Sequence, residues 1–259
     1  MGFIDTHSHI YGEEFNEDID VVIARAKEVG IDKIFLPNIN FETISQMLTL
    51  CDRYPSYLCP MMGLHPTDVT PDYKNVLKRM ENELICHTEK YIAIGEVGLD
   101  FYWETSMATE QEEAFEEQIC WASRMDLPLV IHARSAHAKL VEMMERHRAE
   151  NLRGIFHCFN GTEEEADELL SFSGFLLGIG GTLTYKKSTL PDVLKKIPMS
   201  RIVIETDSPY LAPVPYRGKR NESAYAAEIL TKIASVYETA KEQVIEQTNI
   251  NVKRIFKHF

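Results

Sequence analysis

The sequence predicts an α/β protein: a (β/α)8 TIM barrel forming a single domain over residues 1–259. Three observations predict it. Eight short apolar runs alternate with helical patterns along the whole chain. The runs are apolar at successive positions, as strands buried on both faces must be. Eight β–α units in about 250 residues is the size of such a barrel. An open doubly wound sheet is the other arrangement of these units, but no GxGxxG phosphate loop follows the first run.

In order, the runs are FIDTHSH (3–9), KIFLPN (33–38), YLCPMMGLH (57–65), YIAIGE (91–96), PLVIH (128–132), GIFHC (154–158), GFLLGIG (174–180) and RIVIETD (201–207). Between them, Thr109 with Glu112 and Thr162 with Glu165 have capping-box spacing and predict helix starts. Phe115, Ile119 and Ala122 share one helical face, as do Ala227, Leu230 and Ala234 within 223–237. A last helix is expected from about Thr239.

Composition narrows the class. With 44% hydrophobic and 26% charged residues, the chain suits a globular fold rather than a disordered one. Five cysteines without CxxC spacing read mostly as small buried hydrophobes in a reducing compartment, not as a zinc site. No apolar stretch is long enough to span a membrane, and the N-terminus lacks the pattern of a secretory leader. A cytoplasmic protein is therefore expected. The net charge of −13 is uneven: residues 1–130 carry 9 basic and 24 acidic residues, residues 131–259 carry 18 and 16. That balance argues against a surface that coats duplex DNA, which needs a broad basic face. It leaves room for a local basic mouth.

The polar residues fall at the ends of the runs. Run one ends in His7-Ser8-His9, run three in His65, run four in Glu96, run five in His132, run six in His157 and run eight in Asp207. In a barrel, the C-terminal strand ends converge on one mouth, where active sites lie. His7 and His9, two residues apart, point to the same side of a strand and can share a metal. One lone strand-end histidine is more often a hydrogen-bonded core residue than a ligand. A whole cluster of such groups costs several kcal/mol to bury unless coordination satisfies them. His7, His9, Glu96, His132, His157 and Asp207 make six ligands, which suit two divalent ions with Glu96 as bridge. Mixed imidazole and carboxylate ligation suits Zn, Mn, Co or Ni and admits Mg.

Basic residues near the mouth point to an anionic substrate. Arg134 lies two residues past His132, where a guanidinium can grip a phosphate bidentately. Lys186 and Lys187 follow run seven, and Arg217, Lys219 and Arg220 follow run eight. Loops after strands seven and eight are a frequent phosphate site in barrels.

FIDTHSH, GLHP (63–66), IGEVGLDFY (94–102), IHAR (131–134), FHCFNGT (156–162) and ETDSPYLAP (205–213), in this order, closely resemble the TatD family of metal-dependent deoxyribonucleases. The resemblance spans nearly the whole chain. It implies a TIM-barrel hydrolase of the amidohydrolase-like superfamily, often a nuclease that removes nucleotides from a 3′ end. By its motifs, His7, His9, Glu96 and Asp207 would hold one metal, and Glu96, His132 and His157 the other. His65 and Arg134 would contact substrate. Ser135 departs from the family, where Asp often follows the arginine, and no lysine ends run four to form a carbamylated bridge.

The expected reaction is phosphodiester hydrolysis with two divalent ions (Zn, Mn or Mg), in which Glu96 and Asp207 are the catalytic carboxylates. Asp207 would accept the proton of the attacking water. Tyr102 and Trp103 offer base-stacking surfaces, as do Phe101 and Tyr210, though core packing is the commoner role for Phe101. The expected partner is single-stranded DNA or a DNA end. A small-molecule amidohydrolase acting on a lactone, amide or cyclic amide could use the same ligands and would ignore DNA. A non-catalytic metal scaffold is disfavoured, because every expected ligand is present.

Overall fold

All eight runs contain a strand in the computed structural model, which describes residues 2–103, 105–257 and 259. The strands are β1 Phe3–Asp5, β2 Ile31–Leu36, β3 Leu58–Pro60, β4 Ile94–Asp100, β5 Leu129–Arg134, β6 Gly154–Phe156, β7 Phe175–Ile179 and β8 Ile202–Ile204. Every pairing is parallel, in the orders β1-β2-β3 and β4-β5-β6-β7-β8. Parallel bridges at Met62–Ile94 and Ser8–Ser208 join the two sheets and close the barrel. The helices are α1 Ile19–Glu28, α2 Ile44–Arg53, α3 Tyr73–Cys86, α4 Ala108–Met125, α5 His137–Arg146, α6 Glu163–Leu170, α7 Leu190–Leu194, α8 Ala226–Val236 and α9 Lys241–Ile255.

Alternation along the strands divides the core in two. Residues such as Phe3, Ile34, Leu36, Ile131 and Leu177 face outward and pack with Met47, Leu77, Phe115, Ile119 and Ile233 from the helices. Ile4, Phe35, Cys59, Val130, Ile155, Leu176 and Val203 fill the barrel interior. Val252, Ile255 and Phe256, from α9 and the residue after it, join that inner layer, with the Phe256 ring 4.8 Å from Phe35. The N-terminal end of the barrel is thus plugged by apolar side chains, and the polar strand ends gather at the other.

Several local expectations are corrected. Regular pairing stops at Asp5, Pro60 and Ile204, so His7, His9, His65 and Asp207 lie on extensions beyond the strands. Strand four does not end at Glu96 but runs on to Asp100. Its register slips between Gly95 and Val97, leaving Glu96 as the unpaired residue of a bulge. Bulges re-aim a side chain, and this one turns Glu96 inward. The capping box is present at Thr162 with Glu165. It is absent at Thr109, because α4 begins two residues earlier than that cap requires, with Met107 at the N-cap. The buried face of α8 is Ala226, Ile229, Leu230, Ile233 and Ala234, one residue off the expected Ala227. Of the five cysteines, all free, only Cys51 and Cys59 are buried; Cys86 is exposed, and Cys120 and Cys158 lie between.

Helix α4 reaches the mouth through two buried amides. Gln118 accepts from the Leu64 N–H at 2.7 Å, and Gln111 accepts from the Asp100 N–H at 2.8 Å. Both bonds fix the backbone beside residues of the site.

Candidate metal centre

Glu96 stands in the middle of five imidazoles. Its Oε2 lies 3.1 Å from His7 Nε2 and 3.3 Å from His9 Nε2. Its Oε1 lies 2.9 Å from His132 Nδ1, 3.4 Å from His65 Nε2 and 3.7 Å from His157 Nε2. Asp207 closes the group, with Oδ1 3.7 Å from both His9 Nε2 and His157 Nε2 and 3.9 Å from His7 Nε2. The rings of His7 and His157 stack at 3.5 Å. All six ligands expected from the sequence therefore come together, with the two oxygens of Glu96 turned to different histidines.

A second set of partners orients these rings. Tyr11 donates its hydroxyl proton to the Pro37 carbonyl at 2.7 Å, so at 3.3 Å its oxygen can only accept from His9 Nδ1. That tautomer leaves a lone pair on His9 Nε2, which stands 3.2 Å from His7 Nε2. His132 Nε2 lies 3.0 Å from Asp100 Oδ2, a hydrogen bond, whereas His157 Nδ1 lies 3.0 Å from Glu205 Oε1 without the alignment of one. Carboxylates behind the ring nitrogen that faces away from the centre are the usual support of metal-ligating histidines. The donor set thus fits divalent ions: imidazole nitrogens and carboxylate oxygens converge in a buried mouth, with Asp100 behind His132 and Tyr11 behind His9 to set their tautomers. His7, His9 and Asp207 have ligand atoms within 4.8 Å of one another, and so do His65, Glu96 and His132. Cys158, not expected to take part, lies within the same reach of His157 and Asp207.

His65 differs from the other histidines. Its Nδ1 accepts from the Thr67 backbone N–H at 3.2 Å, which places its proton on Nε2, facing the centre. It presents a hydrogen-bond donor rather than a lone pair.

The electrostatics follow from crowding. Burial opposes ionisation of Glu96, but His7, His65 and His157 and the hydrogen bond to His132 outweigh it and hold the carboxyl well below its usual range. Burial raises Asp207 to about 6, against the pull of His157 and His9. Burial also works against charge on His157, yet Glu205, Glu96 and Asp207 together push it up to about 10. His7 is driven the other way by burial and by the neighbouring His157, well below the ordinary imidazole value.

Around this centre lies an aromatic and basic rim. Tyr102, Trp103 and Tyr210 are 57%, 66% and 57% exposed, where core packing would have hidden them. Phe101 is only partly exposed and packs on the core. The Arg134 guanidinium sits 4.0 Å over the Tyr102 ring and 5.1 Å from that of Trp103, and forms no ion pair among the described residues. Arg217 stacks on Tyr185 at 3.9 Å. Lys186, Lys187 and Lys219 are exposed. Arg220 is corrected: it forks onto Asp18 at 2.7 and 2.8 Å, tying the loop after β8 to the start of α1, and is not a free mouth cation. Ser135 is exposed with φ of 54°, in the left-handed region that Asp and Asn tolerate better.

Sequence reasoning passed over Asp100, Glu205 and Tyr11. Asp100 and Glu205 both stand inside the motif strings, and each carboxylate close to a ligand was a signal that such a partner was at hand.

Comparison with known proteins identifies the relatives of this chain. The family model described as TatD related DNase matches residues 4–257. A Bacillus subtilis protein described as an uncharacterized metal-dependent hydrolase, YabD, is 37% identical over 254 residues, 98% of each chain. The 3'-5' ssDNA/RNA exonuclease TatD of Pectobacterium carotovorum is 30% identical over 259 residues, again 98% of each chain. The crystal structure of YjjV, a TatD homologue from Escherichia coli, superposes with a TM-score of 0.92 at 29% identity, covering 98% of each chain. The chain belongs to the TatD-related DNase family and is a metal-dependent hydrolase.

Proposed function

We propose that this hydrolase is a 3'–5' exonuclease that cleaves phosphodiester bonds at single-stranded DNA ends, working as one catalytic domain in the cytoplasm. The observation that carries the reading is the placement of Glu96, whose two oxygens face separate groups of imidazoles. In this reading His7, His9, Glu96 and Asp207 hold one divalent ion, and Glu96, His132 and His157 hold a second. Divalent ions held there would lower the pKa of water from about 15.7 toward 7 and would offset charge on the phosphoryl oxygens.

The protein's own groups do the rest. Asp207, at the mouth side of the cluster, orients the attacking water and takes its proton. The Nε2–H of His65 donates to a phosphate oxygen or to the leaving oxygen. Arg134 grips the phosphate in a bidentate pair, and Arg217 meets the strand at the loop after β8. Tyr102 and Trp103 stack against bases, each contact worth about 1–3 kcal/mol. The exposed rim supports this, since a solvent-facing aromatic cluster beside a guanidinium with no ion pair among the described residues suits a strand of bases and phosphates. The exonuclease name of the Pectobacterium relative supports the 3' polarity.

The test is incubation of Mn2+- or Zn2+-loaded protein with 3'- and 5'-labelled single-stranded DNA and RNA. A ladder shortened stepwise from the 3' end is expected. Intact DNA beside rapid hydrolysis of lactones or cyclic amides would replace this reading with that of a small-molecule amidohydrolase.

A further inference from the structure

We propose that Asp100 is a positioning residue for two parts of the site at once. Its Oδ2 sets the ring of His132, and its Oδ1 sets the loop that carries Tyr102 and Trp103 and, through them, Arg134. The first half rests on the reading that His132 holds a metal with Glu96; the second stands on the loop alone.

Asp100 ends β4 and is 1% exposed. One amide clamps its backbone on both sides: Gln111 accepts from the Asp100 N–H at 2.8 Å and donates to the Asp100 carbonyl at 3.1 Å. The carboxylate therefore starts from a fixed point. Its Oδ1 accepts from the backbone N–H of Tyr102 at 3.0 Å and of Trp103 at 2.9 Å, which folds the loop back over its own strand end. Phe101 N–H donates to the Arg134 carbonyl at 2.9 Å and pins the same loop to β5. The rings so placed are those over which the Arg134 guanidinium lies. Stacking on these aromatic faces holds the guanidinium over the loop.

The other oxygen faces the metal centre. His132 has Nδ1 2.9 Å from Glu96 Oε1 and Nε2 3.0 Å from Asp100 Oδ2. For Nδ1 to offer a lone pair to a metal held together with Glu96, the proton must sit on Nε2, and that proton needs an acceptor. Both jobs call for acceptors only, and a carboxylate supplies two. An asparagine would keep its oxygen with the two loop donors, which outnumber the single imidazole donor, and would turn an NH2 against His132 Nε2–H.

The chain has two tryptophans, so a Trp121→Phe background isolates Trp103. In that background, Zn2+ affinity is measured by competition with a chromophoric chelator, and loop order by Trp103 fluorescence anisotropy in metal-free protein. Asp100→Asn should weaken one of two Zn2+ ions by about 10–100-fold and leave the anisotropy unchanged. Asp100→Ala should weaken the same ion, lower the anisotropy and raise KM for oligonucleotides. If the alanine variant does not fold, Asp100→Leu, which keeps the volume but offers no acceptor to the loop, takes its place. An Asp100→Asn protein that binds both ions like the parent overturns the His132 half. Unchanged anisotropy in Asp100→Ala overturns the loop half. A parent protein that takes up fewer than two ions would instead defeat the two-metal reading, and the His132 half with it, while the loop half is still read without metal.

Discussion

Glu96 is the residue on which the centre turns, since its carboxylate lies within 4 Å of all five mouth histidines. Glu96→Gln replaces one acceptor oxygen with a donor and should lower occupancy at both proposed metal positions. His157→Ala should weaken mainly one. Metal analysis in saturating Mn2+ or Zn2+ checks this, and an unchanged content in Glu96→Gln would rule out the shared carboxylate. Arg134 is placed to act on substrate alone. Arg134→Ala should keep its metals and lose about 10–100-fold in kcat/KM, as expected for about 1.5–3 kcal/mol from a charged hydrogen bond. Arg134→Lys should restore part of this, because an ammonium lacks the bidentate fork. Unchanged kcat/KM on oligonucleotides in Arg134→Ala would remove the phosphate role.

At the scale of elements, the barrel depends on how helices hold strand ends. Helix α4 does so twice at the mouth, through Gln111 and Gln118. It is itself clasped at the end of α5, where His147 lies 2.7 Å from Glu116 and 2.6 Å from Glu150. Burial works against charge on His147, but both carboxylates outweigh it and raise its pKa above the ordinary 6.5. A group whose folded pKa is raised stabilises fully below the unfolded value and loses that effect as pH climbs through the folded one. The Tm difference between the parent and His147→Gln should therefore be largest near pH 6 and shrink as pH rises toward 9. A gap that is constant or widens with pH would show that His147 is neutral in the clasp.

For the whole molecule, under the proposed nuclease reading, charge and shape select the substrate form. The acidic first half offers few Lys or Arg to replace counterions along a duplex, whereas a strand end brings few phosphates to the mouth. Single-stranded ends should be degraded faster than blunt duplex, and covalently closed single-stranded circles should resist. With about two or three phosphates engaged, log affinity should fall with log salt at a slope no steeper than about −2. Faster loss of blunt duplex than of single strands, or a slope several units steeper, would overturn the electrostatic argument.

The sequence by itself determined the barrel and the roster of polar residues that gather at its mouth. Apolar runs specify buried parallel strands through local periodicity, and His7, His9, His132, His157 and Asp207 follow runs whose ends must meet. The arrangement that makes this roster a centre came from tertiary structure. Strand register turned Glu96 inward at a bulge, which no pattern in YIAIGE signals. Pairing across the fold placed Asp100 behind His132 and Glu205 behind His157, and gave Arg220 to Asp18 at a separation of 202 residues. The physical reason is range. A side chain's periodicity is read from its immediate neighbours, but which of 40 carboxylates meets a given imidazole or guanidinium depends on barrel closure and on where each loop lands.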